Sequence, residues 1–317
     1  MKVTEILSNE EIKLLKSPSD ARGWLAVATT WALIAAMFAL VAWRPSTWTA
    51  LVALVVLGGR HLALAILMHD CAHYSLFRTR ALNDVVGRWL CAYPTWQDLP
   101  RYREHHLRHH KFAGSKDDPD LDLVAPFPVS RASLARKLAR DASGVSGLKR
   151  VYGLLLMDLG FVKYTVSNVI TKLPQGGRTK LDVLKTGARN LHGVALTNAA
   201  LFGALWLGGH PALYLLWLGS YLTTFSVFVR VRSIAEHACT EQDLDPFKNT
   251  RSTEANWVAR LTVAPIRVNY HLEHHLLMTV PYFNLPRLHR MLAERGALKN
   301  AYNAGGYAEV LLTASGG

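Results

Sequence analysis

Four long apolar runs that are almost free of charge dominate the hydrophobic pattern of this chain. The runs are residues 24–43, 47–68 (interrupted at Arg60 and His61), 191–207 and 211–229. A helix needs about 20 apolar residues to cross the roughly 30 Å hydrocarbon core of a bilayer. Trp24 and Trp43 stand at the two ends of the first run, where an interfacial belt would place them. The pattern therefore predicts four transmembrane helices, two in each half of the chain.

The connection within each pair of runs is short, which predicts two helical hairpins. These connections, which begin at Arg44 and at Gly208, contain one basic residue between them, whereas most other Lys and Arg lie in residues 1–23, 78–190 and 230–300. Basic flanking segments stay in the cytoplasm. The expected fold is a single all-α integral membrane domain over residues 1–317 with both termini cytoplasmic. It would have a lead-in at 1–23 and a cytosolic helical cap formed by 69–190 and 230–317.

Composition and charge narrow the classes of protein and partner. The 317-residue chain is 50% hydrophobic and 19% charged, with a net charge of +13. Buried helices of a large soluble protein are the alternative explanation of the runs. Nucleic-acid binding is not expected, because the charge flanks the apolar runs and no recognised motif accompanies it. An anionic lipid surface or an acidic protein partner is a better match for this distribution of positive charge. Three cysteines, an odd number, do not predict a disulfide framework.

Three histidine clusters lie at the edges of apolar segments, and they carry the candidate chemistry. They are His69-Asp-Cys-Ala-His73, His106-Leu-Arg-His109-His110 and His271-Leu-Glu-His274-His275. Because residues three and four apart are neighbours on a helix, each cluster presents two or three imidazoles together. Imidazole is the commonest ligand for transition metals. Eight such ligands are too many for one ion and about right for two. The isolated His61, His192, His210 and His289 are more typical of packing residues.

The types of ligand residue narrow the identity of the metal. Structural zinc sites use four ligands, often thiolates, and magnesium or calcium prefer oxygen. Soluble carboxylate-bridged di-iron proteins use Glu-x-x-His pairs, and this chain contains none. Iron or copper with nitrogen ligands remains.

In this order the three clusters resemble the histidine boxes of the membrane fatty-acid desaturase and hydroxylase superfamily. The stretch from Asn269 to His289, NYHLEHHLLMTVPYFNLPRLH, is similar to the acyl-chain desaturase branch, as is HHKFAGSKDDPDLD from His109 to Asp122. The resemblance covers about residues 60 to 290. One departure concerns Leu277-Met278, where some members of the branch have Phe-Pro, and it bears on the subfamily more than on the metal site.

The resemblance implies a di-iron centre on the cytosolic face, with dioxygen as co-substrate and a hydrocarbon substrate that arrives from the membrane. It also implies one more histidine just after the last span, a place that His237 occupies. The implied ligands are His69, His73, His106, His109, His110, His237, His271, His274 and His275. His105, one residue outside the register of the second box, is expected to support the site rather than to bind metal.

Polar residues beside these ligands have two interpretations. Asp70, Glu104, Glu236 and Glu273 each adjoin a histidine, so they could accept the second ring N–H of a ligand and fix its orientation. Asn269 joins this supporting set. Ordinary salt bridges to the many nearby Arg residues are the alternative. The run from Asp117 to Asp120 is more typical of a solvated turn, with a capping or headgroup role as the alternative.

An unactivated methylene has no acidic proton, so the oxidant must come from a cofactor. Alkene formation and hydroxylation use the same ligands; the similarity of the Asn269–His289 stretch favours desaturation of a lipid or fatty-acyl chain. Hydroxylation or ketolation of an alkyl, carotenoid or other lipophilic substrate is the alternative, and a histidine-rich metal transporter a distant one.

Electrons must arrive from outside. Neither a fused haem domain, nor a Cys-rich iron–sulfur run, nor a Gly-x-Gly-x-x-Gly fingerprint is found. A ferredoxin or cytochrome-type donor, fed by an NAD(P)H reductase, is therefore expected.

Overall fold

A computed structural model of the chain describes residues 3–164 and 170–316. Most of these residues are helical. The helices are α1 (Val3–Ile6), α2 (Asn9–Leu15), α3 (Asp20–Trp43), α4 (Thr47–Ala72), α5 (Arg80–Val86), α6 (Leu99–Phe112), α7 (Leu121–Val124), α8 (Arg131–Ala142), α9 (Val145–Asp158), α10 (Lys180–Leu207), α11 (Tyr214–Leu222), α12 (Thr224–His237), α13 (Pro246–Asn249), α14 (Trp257–Leu261), α15 (His271–Leu276), α16 (Leu285–Glu294) and α17 (Tyr307–Ala314).

Four three-residue strands add to the predicted all-helical architecture. Strands β1 (Val162–Tyr164) and β2 (Ile170–Lys172) pair antiparallel, with Lys163 opposite Thr171. Strands β3 (Arg251–Thr253) and β4 (Tyr302–Ala304) pair parallel, with Ser252 opposite Asn303. Short π or 3-10 turns occupy Gly87–Ala92, Tyr93–Thr95, Pro211–Leu213, Pro265–Arg267 and Tyr282–Asn284.

Three helical stretches are long and apolar enough to cross a membrane: Asn9–Trp43, Thr47–Ala72 and Pro211–His237. They contain the predicted runs 24–43, 47–68 and 211–229, so the prediction of a mainly helical membrane fold is confirmed in this coarser form. The fourth predicted run, 191–207, lies on the 28-residue α10 and is not one of the three. His192 and Asn198 interrupt its apolar sequence, and a fourth span stays a prediction.

Helix α4 is the centre of the bundle. In its most apolar part 78% of the residues are buried, against 33% and 28% in the other two candidate spans. Close approach of α12 depends on Gly58, since a Cβ there would lie 2.2 Å from Thr224 Oγ1. That hydroxyl donates to the Leu54 carbonyl over 2.6 Å. Close packing of this kind holds the last turn of α4, with His69, in a defined position relative to α12.

The third candidate span bends before it reaches the histidines. Its two helices, α11 and α12, meet at Thr223, whose ψ of -88° interrupts the helical backbone. Asp141 on α8 pairs with Arg230 on α12, so α8 packs beside the second helix. After the bend, the last residue of α12, His237, approaches the end of α13, where its Nδ1 donates to the carbonyl of Asn249.

Candidate metal centre

The structure brings the nine predicted ligand histidines together in two groups. In each group the candidate ligand nitrogens all lie within 4.8 Å of one another. The five-histidine group contains His69, His73, His106, His110 and His274, and the four-histidine group contains His109, His237, His271 and His275. The groups adjoin each other, because the ring centroids of His110 and His275 are 4.3 Å apart.

Helical spacing explains how each box contributes to a group. His69 stands in the last turn of α4, and His73 caps that helix four residues later. On α6, His106 and His110 are also four residues apart and share the five-histidine group. On α15, His271 and His275 repeat this spacing within the four-histidine group. His109 lies between His106 and His110 in sequence but belongs to the four-histidine group. His274 lies between His271 and His275 but belongs to the five-histidine group.

Hydrogen bonding alone cannot satisfy all the ring nitrogens that converge in the five-histidine group. Nε2 of His274 lies 2.9 Å from Nε2 of His69 and 2.9 Å from Nε2 of His110. One imidazole nitrogen carries either one proton or one lone pair, so a single Nε2 cannot satisfy both neighbours. Two ligands at right angles on one ion, each about 2.0–2.1 Å from it, would have this same separation. The donor set therefore fits a bound metal ion.

Buried nitrogens without partners support the same interpretation. Both ring nitrogens of His73 and Nε2 of His275 are buried and have no hydrogen-bond partner. A buried polar atom without a partner costs free energy. A metal ion would supply the missing partner for each lone pair.

Acceptors outside the cluster fix the orientation of four of the rings. Nδ1 of His69 lies 3.0 Å from Asp70 Oδ1, and Nδ1 of His109 lies 2.8 Å from Asp118 Oδ1. Nδ1 of His237 donates to the Asn249 carbonyl over 2.9 Å. His271 Nδ1 lies 3.3 Å from Glu236 Oε1. An acceptor at Nδ1 holds the proton there and leaves the Nε2 lone pair free for a metal.

Burial keeps most of the ligand imidazoles neutral. It lowers the pKa of His73 to about 3 and that of His110 to about 2, and nearby cationic or imidazole groups add to the effect. For the same reason the pKa of each of His106, His271, His274 and His275 lies well below the usual value. Neutral imidazole is the form that binds metal.

His109 differs from the other rings. Burial disfavours its charged form, but the hydrogen bond to Asp118 and the charges of Asp120 and Glu236 outweigh burial, so the pKa of His109 is raised. This ring sits in the most acidic surroundings of the cluster. A bound cation would meet negative charge on that side.

The predicted supporting residues occupy different places. Asp70 and Glu236 lie beside ligand rings, as described above. Glu273 instead accepts hydrogen bonds from Ser252 and from Nδ1 of His289. Glu104 is exposed on α6. Neither Glu104 nor Glu273 has a ligand ring among its described polar contacts.

Two further supporting predictions have structural partners of another kind. His105 is not in either histidine group, and its Nε2 lies 2.8 Å from Asp120 Oδ1. Asn269 is buried and donates to the Thr253 carbonyl over 3.0 Å, which ties the start of the third box to β3. Metal binding by the nine histidines, and support by these neighbours, stay predictions.

Sequence reasoning missed Asp118 and the Asn249 carbonyl. Asp118 was assigned to a solvated turn, yet it is only 8% exposed and bonds to His109. The feature of the sequence that could have identified Asp118 is an acidic residue eight positions after the last histidine of the second box. A backbone carbonyl acceptor such as that of Asn249 cannot be recognised from the residue types in the sequence.

The four isolated histidines lie outside both histidine groups, and their contacts differ from one another. His61, on α4, packs against Trp217 with ring centroids 3.8 Å apart and planes tilted by 42°, and it contacts the Trp217 carbonyl. His192 bonds to the Arg189 carbonyl, and His210 is exposed in the connection before α11. His289 pairs with Glu273, so it supports the third box from a distance.

Two neighbouring cavities lead to the histidines. The larger, of about 210 Å³, lies among α4, α6, α9, α10 and α12 and is mostly apolar. The smaller, of about 80 Å³, touches four of the ligand rings. Tyr102, His105, Val229 and Arg232 line both cavities. We call the larger one the inner cavity.

Comparison with known proteins agrees with this arrangement. The family model described as fatty acid desaturase matches residues 46–304. The chain is 28% identical over 304 residues to the dihydrorhizobitoxine desaturase of Bradyrhizobium elkanii, an alignment that covers 94% of this chain and 83% of that protein. It is 23% identical over 269 residues to the sn-1 oleoyl-lipid 12-desaturase of Anabaena variabilis, with 80% and 69% covered. With the family match spanning most of its length, the chain belongs to the fatty acid desaturase family.

Proposed function

We propose that the protein is a membrane oxidoreductase that uses dioxygen and two bound irons to oxidise unactivated C–H bonds of a lipid or fatty-acyl chain, removing two hydrogens from adjacent carbons to form an alkene. Membership of the desaturase family implies an oxidoreductase with a metal cofactor. The observation that supports the finer proposal is the convergence of nine imidazoles in two adjoining groups. Two groups of four and five nitrogen ligands suit two separate ions.

The chain's own residues would hold and orient the metals. The five-histidine group would hold one iron and the four-histidine group the other. Asp70, Asp118, Glu236 and the Asn249 carbonyl keep Nδ1 protonated, so that Nε2 of each ring is the ligand atom. When bound, such irons supply with dioxygen the oxidising power that amino-acid side chains lack.

The cavities would hold the substrate and limit water at the site. The apolar surface of Leu62, Ala65 and Met68 on α4 faces Leu154 and Met157 of α9 across the inner cavity. An alkyl segment can bury itself against these side chains. Tyr102 stacks on the ligand His106, with centroids 5.1 Å apart, and lies between the inner cavity and the histidines. We expect Tyr102 to position the reacting segment of the substrate.

The relatives favour desaturation over hydroxylation, since both are named as desaturases. By name, one acts on dihydrorhizobitoxine and the other on an sn-1 oleoyl lipid. A lipid or fatty-acyl chain is our proposed substrate class, with hydroxylation of a lipophilic substrate as the second candidate. The same ligand set serves either outcome.

The proposal includes the topology and partners expected from the sequence. Run 191–207 on α10 would be the fourth span, the spans would form two hairpins, and the termini and histidines would face the cytoplasm. An external ferredoxin or cytochrome-type protein with an NAD(P)H reductase would deliver the electrons. The net charge of +13 would attract an acidic donor.

One experiment tests the reaction and separates its two candidate outcomes. Full-length protein is purified, depleted of metal with a chelator and reloaded with iron or zinc. The activity of each reloaded form is assayed. In a parallel measurement, lipids of cells with and without the gene, grown under isotopically heavy dioxygen, are compared by mass spectrometry. We expect two irons per chain, activity restored by iron only, and a product that is lighter by two hydrogens without heavy oxygen. Heavy oxygen in the product would identify a hydroxylase, and full activity of the metal-free or zinc form would refute the proposal.

A further inference from the structure

The inner cavity has a charged residue at the end remote from the ligand histidines. One end is lined by Tyr102, His105 and Arg232, which also line the small cavity at the histidines. Tyr221, Phe225 and Arg150 line the inner cavity but not the small cavity, and Phe225 lies twelve residues before His237 on α12. A cavity built only for the methyl end of a hydrocarbon would have apolar side chains there, so the guanidinium needs an explanation.

The guanidinium of Arg150 is held firmly in place. Its Nη2 donates to the Tyr221 carbonyl over 2.6 Å, and its Nη1 donates to Ser226 Oγ over 3.2 Å. The group also lies over two aromatic rings, 4.5 Å from the Tyr221 centroid and 4.8 Å from that of Phe225. Such contacts stabilise a cation and fix its orientation. The site is therefore ordered in advance of any ligand.

Arg150 lacks a counter-ion, unlike the arginines around it. Arg101 pairs with Asp158 over 2.7 Å, and Arg232 pairs with Glu236 over 2.6 Å. Within residues 3–164 and 170–316, no carboxylate lies within ion-pair distance of Arg150. Its Nε is buried and has no hydrogen-bond partner. A buried donor without a partner and a guanidinium without a carboxylate beside it both favour an anionic ligand.

The position of Arg150, which lies on α9 and contacts Ser226 of α12, sets a minimum length for the ligand. Ser226, which binds Arg150, precedes the candidate ligand His237 by eleven residues on the same helix, or roughly 16 Å of helix axis. An extended chain advances about 3.6 Å for every three bonds. An anionic group at Arg150 and a reacting carbon at the histidines would therefore be separated by at least roughly 13 bonds.

We propose that Arg150 binds an anionic group of the substrate, a carboxylate or a phosphate, at the remote end of the inner cavity. The distance from this group to the histidines then selects which carbon reacts. The inference rests on the proposed function in assigning the inner cavity to the substrate. It goes beyond that function because it names the charge that the substrate carries and the residue that recognises it.

Binding to metal-free protein tests the inference without turnover. Full-length protein in phosphatidylcholine nanodiscs is titrated with radiolabelled dodecanoate, monododecyl phosphate and dodecan-1-ol, and empty nanodiscs give the background. We expect at least one of the two anions to bind at least ten-fold more tightly than the alcohol, as a charge-assisted hydrogen bond predicts. Arg150→Gln should abolish this preference, and Arg150→Lys should retain part of it. Lys149→Gln, the same charge change at the exposed neighbouring residue, should leave it unchanged.

The outcomes separate the ligands and the two proposals. Preference for dodecanoate alone would identify a carboxylate, and preference for dodecyl phosphate alone a phosphate; both support the site. Equal binding of acid, phosphate and alcohol by the wild-type protein would overturn it, whether or not the Arg150→Gln variant folds. An unchanged preference in a folded Arg150→Gln variant would overturn it as well. Because no iron is present, failure of the oxidative proposal would leave the binding result intact.

Discussion

The two histidine groups are held together in different ways. In the four-histidine group, Nδ1 of two rings is hydrogen-bonded, by Asp118 for His109 and by the Asn249 carbonyl for His237, and Nδ1 of His271 lies 3.3 Å from Glu236. These acceptors come from the turn after α6, from the end of α13 and from α12. The rings of this group are thus oriented from outside, by partners that do not depend on a bound ion.

The five-histidine group depends more on contacts among its own rings. In the described part of the chain, His69 is the one member with an acceptor at Nδ1, which is Asp70. Three contacts of 2.9–3.0 Å join the Nε2 atoms of His69, His106, His110 and His274, whereas the four-histidine group has one such contact, of 2.8 Å between His237 and His271. From this difference we expect the four-histidine group to be oriented before any metal binds, and the five-histidine group to depend more on a bound ion for its order.

Loss of His274 should have the largest effect. Its Nε2 contacts both His69 and His110, so His274→Ala removes the central ring of the five-histidine group. We expect product formation to fall to background and bound iron to fall by at least one ion per chain, measured by lipid mass spectrometry and elemental analysis. His192→Ala, on a histidine outside both groups, is the control and should retain both. Full turnover by the His274→Ala variant would contradict the catalytic role of the group.

Loss of an outer acceptor should have an intermediate effect, and a larger one in the four-histidine group. Asp118→Ala frees Nδ1 of His109, and loss of such an acceptor typically weakens metal binding about 10–100-fold. Chelator competition on iron-loaded protein measures this change. The control is Asp117→Ala, which removes the same charge from the exposed neighbouring residue and should leave affinity unchanged.

Asp70→Ala sharpens the comparison between the groups. It removes the acceptor of His69, but four other rings of the five-histidine group keep their contacts. We expect a loss of affinity below about ten-fold, smaller than that caused by Asp118→Ala. If Asp70→Ala weakened metal binding more than Asp118→Ala, the outside support of the four-histidine group would not be the factor that distinguishes the two groups.

Local patterns predicted much of this architecture because helices are local structures. Three of the four charge-free runs lie on α3, on α4 and on the α11–α12 pair, which are the candidate spans. They could be predicted because length and apolar content decide whether a helix can cross a membrane. The grouping of ligands also follows local spacing: residues four apart, such as His106 and His110, share a group. The bend at Thr223 was not predicted, because it depends on packing against α4 and α8.

Contacts between distant segments escaped prediction. Glu104 adjoins a histidine in sequence, yet the face of α6 on which it lies is exposed. Asp118 lies nine residues from His109, and only the fold of the intervening turn brings the two together. Arg150 carried no motif at all; its interest comes from Tyr221 and Ser226, more than seventy residues away in the chain. Neighbours in sequence are a poor guide to neighbours in the site once the chain leaves a helix.

The smallest expected effect concerns α15, the helix that supplies rings to both groups. Its Glu273 is fully buried and accepts from Nδ1 of His289 on α16 over 2.6 Å. This hydrogen bond raises the pKa of His289 above its usual value of about 6.5. A raised pKa stabilises the fold fully below the unfolded value, and this stabilisation is lost as pH rises through the folded value. The pair should therefore matter at about pH 6 and less at about pH 9.

Removal of the pair should lower the thermal unfolding midpoint in a pH-dependent way. For His289→Gln we expect metal-free protein to unfold roughly 1–3 °C below wild type at about pH 6, with the difference shrinking at about pH 9. His210→Gln, at an exposed histidine in the connection before α11, should show no difference at either pH. A deficit of the same size at both values would mean that His289 acts by packing and not by its charge. Helix α15 carries His271, His274 and His275, so it contributes rings to both groups. An effect of the Glu273–His289 pair should therefore weaken metal retention in both groups equally. Asp118→Ala and Asp70→Ala should each weaken it in one group.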